Sequence, residues 1–233
     1  MHLKGLFRRT NGFTKDVKQM ASDYRNSRFM ENFNIFCPPM VCGDYDIPMM
    51  DAQSFHNVEF VGYNYAKGCK NKSGKGVHFF LDDYQFERVW REPAACAKTL
   101  MDFSCVMTPD FSMYTDFPKA LQIYNHYRKQ WLGAYWQALG MTVIPTIAWS
   151  DADSYAWCFD GIPQNATVAV SSVGTQNSKE AKALFLQGWD AMMDRLQPET
   201  VIFYGQVPKE CNANIVSIKA YQEKFREVKT NGW

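Results

Sequence analysis

The feature that most limits what this chain can fold into is the regular exchange of short apolar runs and helical stretches from residue 82 onward. Ser104 to Met107, Met141 to Trp149, Thr167 to Ser171, Val201 to Tyr204 and Ile215 to Ile218 read as short, largely apolar strands. Between them fall a short helix over residues 82–92, a second from Pro93 to Phe103, a long one from Pro118 to Leu139, a short one from Asp151 to Phe159 and another long one from Ser178 to Leu196. Pro93 and Pro118 suit first helical turns, Gly140 suits the position just past a C-terminus, and Asn177 with Glu180 resembles a capping box. Strands and helices joined this closely imply parallel strands linked by crossover helices. The expected fold is therefore α/β, with a mainly parallel sheet that is either (β/α)-barrel-like or open and doubly wound.

Upstream the pattern is weaker. Val58 to Tyr63 and Val77 to Phe80 have strand composition, and the Gly- and Lys-rich loop between them leaves no room for a helix. Residues 1–56 show no sustained period, and Cys37-Pro38-Pro39 forbids a regular helix there. These residues are expected to form an irregular arm packed on a single α/β domain spanning 57–233. A polar helix is expected over Tyr221 to Val228. Pro145 interrupts the run from Met141 to Trp149 and predicts a bulge or an irregular edge.

Composition narrows the setting. A 233-residue chain with 46% hydrophobic content can bury one large core. No apolar stretch approaches the roughly eighteen residues of a membrane span, so no membrane partner is expected. Seven cysteines without a pairing pattern point to free thiols and a cytoplasmic location. Residues 1–76 carry eleven Lys/Arg against seven Asp/Glu, and the remainder fourteen against seventeen. That asymmetry favours phosphate-rich partners only weakly, and a pI of about 7.5 falls short of a dedicated nucleic-acid-binding domain. Oligomeric state is not legible.

Parallel sheets take their ligands at the carboxyl ends of strands. Asp82 and Asp83, Asp110, and Asp151 follow three successive predicted strands. Brought together, such carboxylates raise one another's pKa or recruit a hard cation such as Mg²⁺ or Mn²⁺, and the ion could assist phosphoryl or hydrolytic chemistry. Asp110 and Asp151 are the candidate catalytic pair, and all four are candidate metal ligands. The competing explanation is ordinary helix N-capping, the commonest reason for Asp at such positions.

Ser171 and Ser172 could present hydroxyls to an anion, but a turn with a lone Gly174 is a weak phosphate signal. The loop over residues 68–76 has P-loop flavour, yet its spacing is one too long and Gly76 stands where Ser or Thr should be. It remains a basic loop whose Lys72 and Lys75 could touch phosphates. On the long helix, Tyr124, Trp131 and Tyr135 read as core, leaving Arg128 and Asn125 as candidate ligand-binding residues, while His126 reads as a satisfied or solvent-facing histidine. Cys37, Cys42, Cys69 and His78 lack zinc-site spacing.

TPDFS, YWQ, VIPT and WSD occur in this order within residues 57–205, between VHFFLDDYQFERVW and VIFYG. In these motifs the chain resembles the domain of unknown function 4417 family, met in bacteria, prophages and phages. The resemblance implies a mobile-element setting and brings no catalytic residues with it. Two functions follow as expectations. One is an enzyme acting on a phosphate-containing ligand, nucleic acid or nucleotide. The other is a non-catalytic protein that engages a host protein, nucleic acid or signalling nucleotide.

Overall fold

The computed structural model describes residues 31–220, so the helix expected over 221–228 lies outside the described residues. A hairpin of β1 (Val41–Cys42) and β2 (Ile47–Pro48) precedes the main sheets. Next come β3 (Glu59–Gly62), the one-turn α1 (Tyr63–Ala66) and β4 (Lys75–His78). Two short helices, α2 (Arg88–Arg91) and α3 (Pro93–Leu100), lead to β5 (Cys105–Met107), and the long α4 (Lys119–Ala138) follows. The chain continues through β6 (Val143–Ile144), β7 (Thr146–Ile147), β8 (Thr167–Ser171), α5 (Lys179–Leu196), β9 (Thr200–Tyr204) and β10 (Ile215–Ile218).

Every pair within the two main sheets is parallel, in the orders β3-β4-β5-β6 and β7-β8-β9-β10. The order follows the sequence throughout, so neither sheet has the topological switch point of a doubly wound fold. A small helix does fit between β3 and β4, contrary to the sequence expectation. A parallel return needs about a dozen residues, and α1 with the 3-10 turn Lys72–Gly74 occupies that crossover.

Pro145 explains the division into two sheets. It separates β6, which pairs with β5, from β7, which pairs with β8. This is an interior position, where proline removes a ladder donor. Thr108 repairs the break: the Thr146 N–H donates to Thr108 Oγ1 at 2.8 Å, and the Thr146 hydroxyl donates to the Thr108 carbonyl at 2.8 Å. The Pro145 carbonyl still accepts from the Ala169 N–H at 2.9 Å.

The two faces of the strands serve different cores. Phe60, Cys105, Met107, Ile144, Ala169, Ile202 and Tyr204 pack together in one cluster that draws on both sheets. Through this cluster the two sheets face one another across a shared core. Alternate residues point the other way: Val77, Val106 and Val143 meet α3 and α4, while Val168, Val170, Val201 and Phe203 meet α5. The architecture is thus α/β, two parallel four-stranded sheets that share one core and carry helices on their other faces.

Residues 31–56 close over α4. The Trp131 indole donates to the Phe36 carbonyl at 3.2 Å, and a side chain on Gly133 would collide with Met50. Covered on both sides, α4 buries Trp131 and Trp136 completely; truncating either to alanine would cost about 3–5 kcal/mol. The seven cysteines are free thiols. Among the described residues no helix is long and apolar enough to cross a membrane.

Candidate functional site

The carboxyl ends of the strands open into a cavity of about 820 Å³, adjoined by a second of about 340 Å³. Asp110, Met113, Tyr114, Ala148, Trp149, Ser171 and Val173 border both. Parallel strands deliver their last residues to one edge, and so Gly62, His78, Ser171, Tyr204 and Ile218 meet there.

One wall of the larger cavity is aromatic. Phe80 stacks on Tyr204 with centroids 4.9 Å apart, and His78 lies 4.8 Å from Tyr204 and 5.9 Å from Phe80. Side-chain alternation produces this wall, because Phe79 turns outward to the helices and Phe80 inward. The charged residues around the cavity are Glu59, Asp82, Asp110 and Lys219, so its lining is acidic. Tyr65 and Tyr114, both more than half exposed, stand at its rim.

Asp110 is the chemically distinctive group. It borders both cavities and is partly exposed to them, and among the described residues no hydrogen bond contributes to its titration. Burial pushes its pKa up to about 7, the buried Lys129 ammonium opposes that rise, and Asp83 adds to it. At neutral pH such a carboxyl exists in both protonation states and can donate or accept a proton.

The segment that carries Asp110 is fastened from several sides. Asp83 accepts from the Ser112 N–H at 3.2 Å and from its hydroxyl at 2.8 Å. Asn125 donates to the Ser112 carbonyl at 2.7 Å, and Gln122 donates to the carbonyls of Tyr114 and Phe117 at 3.1 and 2.9 Å. Arg128 lies over the Phe111 ring at 3.6 Å and grips both oxygens of Glu87 at 2.8 and 2.9 Å.

The four aspartates are therefore divided. Asp82 and Asp110 line the larger cavity, Asp83 is engaged with Ser112, and Asp151 is exposed and lines neither cavity. Among the described residues no three His, Cys, Asp or Glu side chains gather as a metal site. Asp82 and Asp151 occupy N-cap positions of 3-10 turns, yet neither side chain makes the capping bond. At α5 the cap is Ser178, which accepts from the Ala181 N–H at 3.0 Å, one residue later than the capping box expected at Asn177.

Of the candidate ligand-binding residues, Ser171 borders both cavities, whereas Ser172 is buried and donates to the Gln206 carbonyl at 2.7 Å. Asn125 and Arg128 face the Asp110 segment rather than a cavity. Lys72 pairs with Asp102 and Lys75 with Glu59; Lys75 lines neither cavity itself but neutralises Glu59, which lines the larger one. His126 is buried, and its Nε2–H donates to the Asp160 carbonyl at 3.0 Å. The sequence reading missed the wall of His78, Phe80 and Tyr204, and it missed Lys129. The available signals were the positions of Phe80 and Tyr204 at strand ends and the spacing of Lys129 from Asn125.

The family model described as "Domain of unknown function (DUF4417)" matches residues 39–222, a wider span than the motifs at 57–205 and one that takes in the hairpin. The "Gene 1 protein" of Mycobacterium phage D29 is 37% identical over 194 residues, 81% of this chain and 72% of that protein. The "Gene 1 protein" of Mycobacterium phage L5 is 38% identical over 179 residues, 76% of this chain and 78% of that protein. No solved structure matches the chain.

Proposed function

The chain belongs to the domain of unknown function 4417 family and has phage-encoded relatives, and from the geometry of its cavities we propose that it binds a nucleotide, free or within a single strand. The observation that carries this is the meeting of two unlike compartments at Asp110. The larger is aromatic and acidic, which suits a flat, uncharged base and disfavours a phosphate. The smaller is bordered by Ser171, Gly174 and Thr175 and by Ala181 in the first turn of α5. The positive end of the α5 dipole lies there and suits the phosphate, although the Ala181 N–H itself is taken by Ser178.

In this arrangement the base stacks on the wall of Phe80 and Tyr204, and Asp110 meets its hydrogen-bonding edge. A carboxyl that titrates near neutrality can pair with an amino group as an acceptor or with a ring nitrogen as a donor. The same property qualifies Asp110 as a general acid or base if the ligand is transformed. Exposed Tyr65 and Tyr114 offer stacking surfaces to neighbouring bases of a strand.

The test is calorimetric titration at pH 7 with nucleosides, nucleoside monophosphates, inorganic phosphate and short single-stranded oligonucleotides. Binding of a nucleotide that Asp110→Asn and Tyr204→Ala each weaken by about tenfold or more, a loss of about 1.4 kcal/mol, supports the reading. Failure of every base-containing ligand to bind overturns it.

A further inference from the structure

We propose that Lys129 is the positioning residue for Asp110: its buried ammonium lies behind the carboxyl and orients it toward the cavity. One face of α4 meets the segment after β5 in order. Gln122 bonds to Phe117 and Tyr114, and Asn125 bonds to Ser112. At the far end, a Cβ on Gly133 would stand 2.8 Å from Thr108 Cγ2. Helix numbers rise as segment numbers fall, and residues 122, 125, 129 and 133 share one helical face. Lys129 falls between Asn125 and Gly133, and the segment residue between Ser112 and Thr108 in the same progression is Asp110.

Lys129 is 1% exposed, and its Nζ has no hydrogen-bond partner among the described residues. A buried ammonium in that condition is expensive, and a methionine would fill the same space without the penalty. The expense has a return if the charge acts on a neighbour. Asp110 is the neighbouring group that most favours the charged lysine, and the lysine in turn favours the charged Asp110. The other ionisable groups around the pair are His126 on α4, Cys158 beside the 3-10 turn Ala152–Ala156, and Asp83 across the segment. Arg128 is taken up by Glu87.

The inference rests on Asp110 as the ligand-facing group, and its test needs no ligand. Carboxyl-carbon NMR of the aspartates follows the titration of Asp110 in the wild type, Lys129→Met and Lys129→Gln, with Asp110→Asn to assign the signal. Loss of the ammonium is expected to raise the midpoint by at least about one unit, a tenfold gain in proton affinity. A midpoint within about 0.3 unit of wild type in a folded variant overturns the proposal. Should neither single variant fold, Asp110→Asn/Lys129→Met decides by stability. The double variant is expected to be more stable than Asp110→Asn alone, since it no longer buries an uncompensated charge, and an equal or lower stability overturns the proposal. If nucleotides fail to bind while the coupling is present, only the ligand reading is lost. If they bind while the midpoint stays put, only the role of Lys129 is.

Discussion

Arg128 offers a direct choice between holding the site and touching a ligand, and replacing it with methionine decides. Its side chain is 9% exposed and grips Glu87, itself 29% exposed, through both carboxylate oxygens. It also donates from Nε to Asn125 at 3.1 Å and covers the Phe111 ring at 3.6 Å. Breaking a buried pair costs about 3–5 kcal/mol because the remaining charge is stranded. Glu87 keeps partial access to water, which recovers some of that cost, and the loss of a desolvated cation–π contact returns up to about 2 kcal/mol of it. Arg128→Met is therefore expected to destabilise by about 2–4 kcal/mol. With a urea m-value near 3 kcal/mol/M, the midpoint would fall by about 1 M.

The assay is urea unfolding at pH 7 of the wild type, Arg128→Met, Glu87→Gln and the double variant. If the pair acts as a unit, the double variant is less damaged than the sum of the singles, by about 1–3 kcal/mol. A single-variant loss under about 0.5 kcal/mol, or strict additivity, would refute the bracing role. It would also return Arg128 to the list of groups available for a ligand.

Thr108→Val leaves the Thr146 N–H buried without its acceptor, and a loss of about 1–3 kcal/mol is expected in thermal or urea unfolding. Gly188 on α5 lies so close to the Trp149 indole that any Cβ would displace it, so Gly188→Ala should shift Trp149 fluorescence and weaken ligand binding at the cavities it borders. Burial holds the His126 pKa well below its usual value, so below about pH 6.5 the unfolded chain takes up a proton that the folded chain refuses. Stability should then fall with acidification by up to about 1.4 kcal/mol per pH unit from this residue. His126→Gln, which keeps a donor for the Asp160 carbonyl, should show a shallower loss between pH 6.5 and 5.

How far the sequence reaches can be judged from the runs Val77 to Phe80 and Val201 to Tyr204. Each is largely apolar, since both faces are buried, and such runs announce a strand without saying which residue faces the ligand. The parity that turns Phe80 and Tyr204 inward and Phe79 and Phe203 outward is set by pairing and by the core that the two sheets share. The aspartates repeat the lesson. Their location after successive strands was legible, but turn geometry sends Asp83 to Ser112 and Asp151 to solvent. Only Asp82 and Asp110 are left at the larger cavity. Pro145 was legible as a disruption, but not as the divider between two sheets, because the repair comes from Thr108, 38 positions before the Thr146 it bonds.

The polar residues of α4 bring these threads together. Gln122, Asn125, His126, Arg128, Lys129 and Gln130 are all buried, on a helix that an apolar sequence would pack at lower cost. Five of them are accounted for by what they hold. Gln122 and Asn125 fix the backbone after β5, and Arg128 clamps Phe111 to Glu87. His126 ties the helix to the Asp160 carbonyl, a link Gln130 shares at 3.4 Å. Lys129 lies within this series and has no hydrogen bond among the described residues, so its neighbours secure the position of Asp110 and leave its charge to act there. A site whose carboxyl must sit at a fixed place and titrate near neutrality needs both services, and a single helix face supplies them.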